Sequence, residues 1–365
     1  MVAARASLPP RPFDFMTRFL AVLFAALTLA ACTPMVMQAP GTPPFGFQGP
    51  RFETDAVVSF DGARLGLSSW EAEGEPWAVI VAVHGMNDYA NAFHLAAPWW
   101  AEQGVTTLAY DQRGFGRSPK RGIWAGDELM MEDLRTVVAL ARQRYPQAII
   151  AVAGESMGGA VAAEAFASDR PPVADRLVLL SPAVWGWREQ PLPYRTLLWL
   201  AANFTAAKVY TPPDWLTRRI QPTDNREELL AMGRDPLMVW GARSDTLYGL
   251  VSMMDRASEA VGEAAVPTLY LYGANDEIIP KNAAFKAAKR LKPDDRSAYY
   301  ADGWHLLTRD LQGPVVWKDV LAFVRDPAEP LPSGAPPIPG TKRPPETRVV
   351  EASGAGRRAA AEPAE

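Results

Sequence analysis

Cysteine and histidine are nearly missing from this chain, which holds one Cys (Cys32) and three His (His84, His94, His305) in 365 residues. A single thiol builds no disulfide framework. So few soft ligands, with no H-E-x-x-H pair, build no zinc site, and no metal or organic cofactor is implied. Charge of one sign is scarce too: 37 Lys and Arg stand against 41 Asp and Glu, a net charge of −4, and no basic block runs beyond a few residues. That argues against nucleic-acid partners, because neutralising phosphates takes clustered cations. What is abundant is apolar side chain, 48% of residues, enough for a large core in one domain.

The apolar run Phe19–Leu29, preceded by Arg11 and Arg18, is too short to span a bilayer and reads as a secretory signal. It ends in Leu29-Ala30-Ala31-Cys32, which resembles the lipobox of bacterial lipoproteins. The resemblance implies removal of residues 1–31, diacylglyceryl transfer to Cys32 and a lipid anchor in a membrane. An ordinary signal cleaved nearby is the alternative, and Met16 competes with Met1 as the start. Thr33 follows Cys32 where an Asp would signal inner-membrane retention, a lean toward the outer membrane; the cell membrane stays open. Either way the chain would face the periplasm or exterior. Residues 32–50, rich in Pro and Gly, read as anchor and flexible tether, and 326–365 as a disordered tail.

Between them, residues 51–325 alternate strand and helix patterns. Val57–Phe60 and Arg64–Trp70 read as strands paired through the Asp61-Gly62 turn. Ala78–Val83 is a continuous apolar run of the kind buried on both faces of a sheet. Further strands are expected at Val105–Tyr110, Ala148–Ala153, Leu177–Leu180, Thr268–Tyr272 and Ala298–Tyr300, with helices between them. The fold class is α/β, a mostly parallel doubly wound sheet. From about 183 to 265 the alternation breaks, and Trp185, Trp187, Trp199, Phe204, Trp215 and Trp240 mark a helical cap insertion, its aromatics expected to be mostly its own core.

Gly154-Glu155-Ser156-Met157-Gly158 matches G-x-S-x-G between a strand and a small-residue helix. There the motif has mechanical meaning: a strained turn presents the serine hydroxyl at the sheet edge. A hydroxyl needs a base, and His305 is the one histidine after Ser156 in the chain order Ser, acid, His. The acid is expected at Asp276, after the strand Thr268–Tyr272, with Glu277 the close competitor and Asp245 and Asp255 weaker ones. An oxyanion needs two donors: the backbone N–H of Met157, and that of Met86 in the loop His84–Asp88. His84 is read as shaping that loop and His94 as structural.

Four blocks together carry a resemblance to the monoacylglycerol lipase and lysophospholipase branch of α/β-hydrolases: His84-Gly85, Asp111–Ser118 (DQRGFGRS), Gly154–Gly159 (GESMGG), and Gly273–Pro280 with His305. The resemblance spans roughly Phe52 to Asp326 and implies that fold, the triad Ser156, Asp276 and His305, and a small acyl-ester substrate. Two departures, Asn87 and Tyr89 in the first loop and Phe115 where the branch often has His, weaken the inference to monoacylglycerol itself. The Asp111–Ser118 loop, with no trailing Lys for a nucleotide phosphate, is read as structural. The expected reaction is ester hydrolysis through an acyl-serine. Acyl transfer by the same residues, peptide cleavage, and a non-catalytic anchored binding protein of the same fold remain alternatives.

Overall fold

Every residue of Ala78–Val83 is buried, and its side chains alternate between two cores: Val79, Val81 and Val83 enter one, Ala78, Ile80 and Ala82 the other. This period of two, repeated in neighbouring strands, is what lets one sheet bury both faces. The protein, seen as a computed structural model, is described over residues 35–211 and 220–341. Its strands are β1 (Arg51–Phe52), β2 (Ala56–Val58), β3 (Arg64–Trp70), β4 (Ala78–Val83), β5 (Val105–Tyr110), β6 (Ile149–Glu155), β7 (Arg176–Leu180), β8 (Val209–Tyr210), β9 (Ala242–Arg243), β10 (Thr268–Gly273) and β11 (Arg296–Tyr300). Nine of them form one sheet in the order β1-β2-β3-β5-β4-β6-β7-β10-β11. From β5 to β11 all neighbours are parallel, while β1 to β3 join as antiparallel strands.

The helices are α1 (Ala96–Glu102), α2 (Asp127–Arg144), α3 (Met157–Ala167), α4 (Leu192–Phe204), α5 (Arg226–Arg234), α6 (Ser244–Ala260), α7 (Lys281–Ala288) and α8 (Gly313–Arg325). Residues of α2, α3, α6 and α7 fill one core; α1 and α8 cover the other. The result is the three-layer α/β arrangement, with a mostly parallel sheet, that the alternation implied.

Two expectations about the cap need correction. The cap insertion is shorter than 183–265, because α6 packs on α3 and buries Val251, Met253, Met254 and Ala257 in the sheet-flanking layer. The cap therefore ends near Arg243. Its aromatics are not mostly buried: Trp199 and Trp240 are each about half exposed, and α4 buries only Ala202 while Leu192, Tyr194 and Leu197 face out. Trp215 lies outside the described residues.

The supposed tether and tail also depart from expectation. From Met35 the segment before β1 lies along the domain: Gln38 N–H donates to Trp124 O at 2.9 Å and its amide to Ile123 O at 2.8 Å. Residues 326–341 run back over the edge strand β11, where Tyr299 N–H donates to Pro336 O at 2.8 Å and Ile338 is 1% exposed. Proline composition suggested disorder, but a proline carbonyl still accepts, and one buried Ile anchors the strap. Cys32 and residues 342–365 lie outside the described residues.

Candidate active site

The turn from β6 into α3 is held by glycine. A Cβ on Gly154 would lie 2.5 Å from Gly158 O, and one on Gly158 would lie 2.1 Å from Val83 O. Between them Ser156 adopts φ +53°, ψ −116°, a strained conformation that costs about 1–3 kcal/mol and is tolerated where surroundings fix it. Its own N–H donates to Leu180 O at 2.9 Å, and its carbonyl accepts from Ala183 at 2.9 Å. The neighbouring strand β7 and the turn after it thus hold the elbow from behind, and the hydroxyl stands at the C-terminal edge of the sheet.

The carboxylate and imidazole arrive from the ends of β10 and β11. His305 Nδ1–H donates to Asp276 Oδ2 at 2.8 Å, and both residues are buried. The other oxygen, Asp276 Oδ1, accepts from Ile278 N–H at 2.8 Å and Ile279 N–H at 2.9 Å, so this carboxylate is oriented before it meets the ring. Glu277 is exposed and accepts from Gln221 N–H instead, which removes it as the partner. Asp245 is taken by Arg243. Burial opposes charge on His305, yet the Asp276 carboxylate, its hydrogen bond and the nearby Glu155 outweigh it and hold the imidazole above its ordinary value. Among the described residues Ser156 Oγ makes no hydrogen bond to His305. Such contacts are often long before substrate binds.

On the opposite side of Ser156 stands the loop after β4. A Cβ on Gly85 would come within 3.1 Å of Ser156 Cβ, so glycine is what lets the loop approach. His84 is fully buried; its Nε2 accepts from Gln112 N–H at 2.8 Å, which leaves the proton on Nδ1, 2.7 Å from Gly85 O. It is a neutral brace, its pKa lowered mainly by burial. Among the described residues the N–H groups of Met86 and Met157 meet no acceptor. Met157 opens α3, where the first amides of a helix are unpaired and favour negative charge.

The Asp111–Ser118 loop is structural, as expected: Arg113 bridges Asp61 and Asp133 in a buried cluster, and Asp111 accepts from Ala90 N–H and Arg117. Sequence reasoning missed a second buried cluster, in which Arg309 meets Glu155, Asp88 and Glu228. The available signal was a Glu inside the elbow motif, at the end of a strand too apolar to carry a charge without a partner. A cavity of about 920 Å³ between Met35–Pro40, α2 and α6 is lined by Asp245 but by none of Ser156, Asp276, His305, Met86 and Met157. The chemistry is therefore located by the paired groups and not by the void.

Residues 74–312 match the family described as serine aminopeptidase, S33. The monoglyceride lipase of Mus musculus is 26% identical over 272 residues, 73% of this chain and 86% of that protein. The monoacylglycerol lipase of Mycolicibacterium smegmatis is 23% identical over 278 residues, 72% and 93% of the two chains. Among solved structures, a soluble variant of monoglyceride lipase from Saccharomyces cerevisiae superposes with a TM-score of 0.64 at 16% identity, covering 79% of this chain and 99% of that one.

Proposed function

The chain belongs to the serine aminopeptidase S33 family, and we propose that this carboxylic ester hydrolase cleaves a monoacyl lipid, a monoglyceride or a lysophospholipid, through an acyl-serine at Ser156. The observation that carries the reading is the oriented Asp276–His305 pair, 2.8 Å apart, at the sheet edge that also bears the strained serine. In the proposed mechanism His305 takes the Ser156 proton as Oγ attacks the ester carbonyl. Asp276 fixes the ring tautomer and stabilises the imidazolium. The N–H groups of Met86 and Met157 receive the oxyanion, each worth about 3–4 kcal/mol of barrier. His305 returns its proton to the leaving alcohol, then activates water to release the acid.

A lipid substrate is supported by the full-length relatives named as lipases and by the exposed apolar residues of α4, which suit an amphiphile better than water. The family description names peptidases, so the test compares both leaving groups. Purified protein is offered p-nitrophenyl esters of rising acyl length, monoacylglycerol, lysophospholipid and an aminoacyl p-nitroanilide, with Ser156→Ala as control. Ester cleavage lost in Ser156→Ala, with fluorophosphonate labelling confined to Ser156, is the expected result. Anilide cleavage alone would replace the reading with a peptidase, and no labelling of folded protein would leave a binding protein. Added alcohol separates transfer from hydrolysis. The Cys32 lipid anchor, also part of the proposal, would keep the enzyme at the surface where such lipids reside.

A further inference from the structure

We propose that Arg309 is a positioning residue of the hydrolytic site, a buried cation that ties together the nucleophile elbow, the oxyanion loop and the cap. Arg309 lies four residues past His305 and is 2% exposed. Its Nη2 is 2.6 Å from Glu155 Oε1 and 2.8 Å from Asp88 Oδ2, and its Nη1 is 3.6 Å from Glu228 Oε1. Glu155 immediately precedes Ser156. Asp88 sits two residues beyond Met86, with its N–H donating back to Gly85 O. Glu228 belongs to α5 of the cap. One planar guanidinium therefore touches the three parts that must converge before an ester can react, a geometry that Lys could not reproduce.

The cap side of this junction is reinforced by backbone. Leu306 N–H, next to His305, donates to Pro222 O at 2.9 Å; Leu311 N–H donates to Asp224 Oδ1 at 2.8 Å; Asn225 Nδ2 donates to Arg309 O at 3.1 Å. Gln221 N–H donates to Glu277, beside Asp276, at 2.8 Å. The segment 221–228 thus holds the loops of both the base and its acid. Elbow geometry demands the glycines around Ser156 but not a glutamate, so Glu155 calls for another reason, and Arg309 supplies it. Three carboxylates around one cation stay buried together only when all are in place. At the cluster's outer end His94 Nε2 lies 3.4 Å from Glu228 Oε2.

The inference rests on the hydrolase reading, and its test separates the two. The charged groups acting on His305 are Asp276 and Glu155, which favour its protonated form, and Arg309, which disfavours it; Asp88, Glu228 and His94 complete the cluster, and Asp310 adjoins it. In Arg309→Met the acid limb of the kcat/KM profile moves to higher pH and kcat falls at least tenfold. In Glu155→Gln the limb moves to lower pH. Arg309→Lys recovers part of kcat. Removing both charges in Arg309→Met/Glu155→Gln leaves no uncompensated partner in that pair and keeps the fold testable; its limb returns toward that of the wild type while kcat stays low. A folded Arg309→Met with unchanged kcat and limb overturns the proposal. If that variant does not fold, wild-type kcat in the double variant overturns it. Loss of fluorophosphonate labelling at Ser156 in the wild type would instead overturn the hydrolase reading.

Discussion

In the proposed mechanism His305 must be neutral to accept the Ser156 proton, so its ionisation would set the acid side of the activity profile. Burial alone would lower its pKa; Asp276, bonded to it at 2.8 Å, and the nearby Glu155 together raise it more than burial lowers it. The sign follows: activity is lost as pH falls through a value above the ordinary imidazole pKa of about 6.5. Asp276→Asn removes the raising charge and the acceptor that fixes the tautomer. Its acid limb is expected to move down, while kcat at the plateau falls by about 10⁴-fold, the scale seen when a triad loses its acid. A pH series of kcat/KM on a soluble ester checks both. An Asp276→Asn profile that keeps its midpoint would mean that another carboxylate governs the base, with Glu155 the nearest.

At the scale of elements, the elbow and the C-terminal strap show where sequence was and was not readable. The elbow was legible because its requirement is steric and local: a Cβ on Gly158 would stand 2.1 Å from Val83 O. Gly158→Ala is expected to cost more than about 3 kcal/mol in denaturant unfolding, as backbone cannot retreat there. A change below 1 kcal/mol would show that β4 can shift. The strap was illegible because its cue is a single side chain in a proline-rich run. Ile338 is buried among residues of the α2–α3 core side and is 1% exposed. Ile338→Ala is expected to cost about 2–5 kcal/mol with the triad intact, which a melt paired with an activity assay would detect. Wild-type stability in that variant would mean that the strap rests on β11 without holding it.

Across the whole molecule, apolar runs made the sheet legible, because each strand shows its burial in its own residues. The cap boundary was not: α6 carries Ser, Asp and Tyr on one side and joins the core through Val251, Met253 and Met254, a stripe that looks like cap until its partner α3 is in place. The buried Arg309 cluster joins residues up to 221 positions apart in sequence order, from Asp88 to Arg309, which no local pattern reveals. The ordered course of the chain from Met35 onward bears on the proposed anchor. Two residues, Thr33 and Pro34, separate Met35 from Cys32, three steps that reach about 10 Å at full extension. A lipid on Cys32 would therefore hold the domain against the bilayer and not on a long leash, so the anchor should matter for substrate in a membrane and not for chemistry. Wild-type protein is expected to partition into detergent, and Cys32→Ser into water. The variant should keep kcat on a soluble short-chain ester but turn over vesicle-embedded monoacylglycerol more slowly, by tenfold or more. Detergent partitioning retained by Cys32→Ser would show that the lipid is not what binds the membrane.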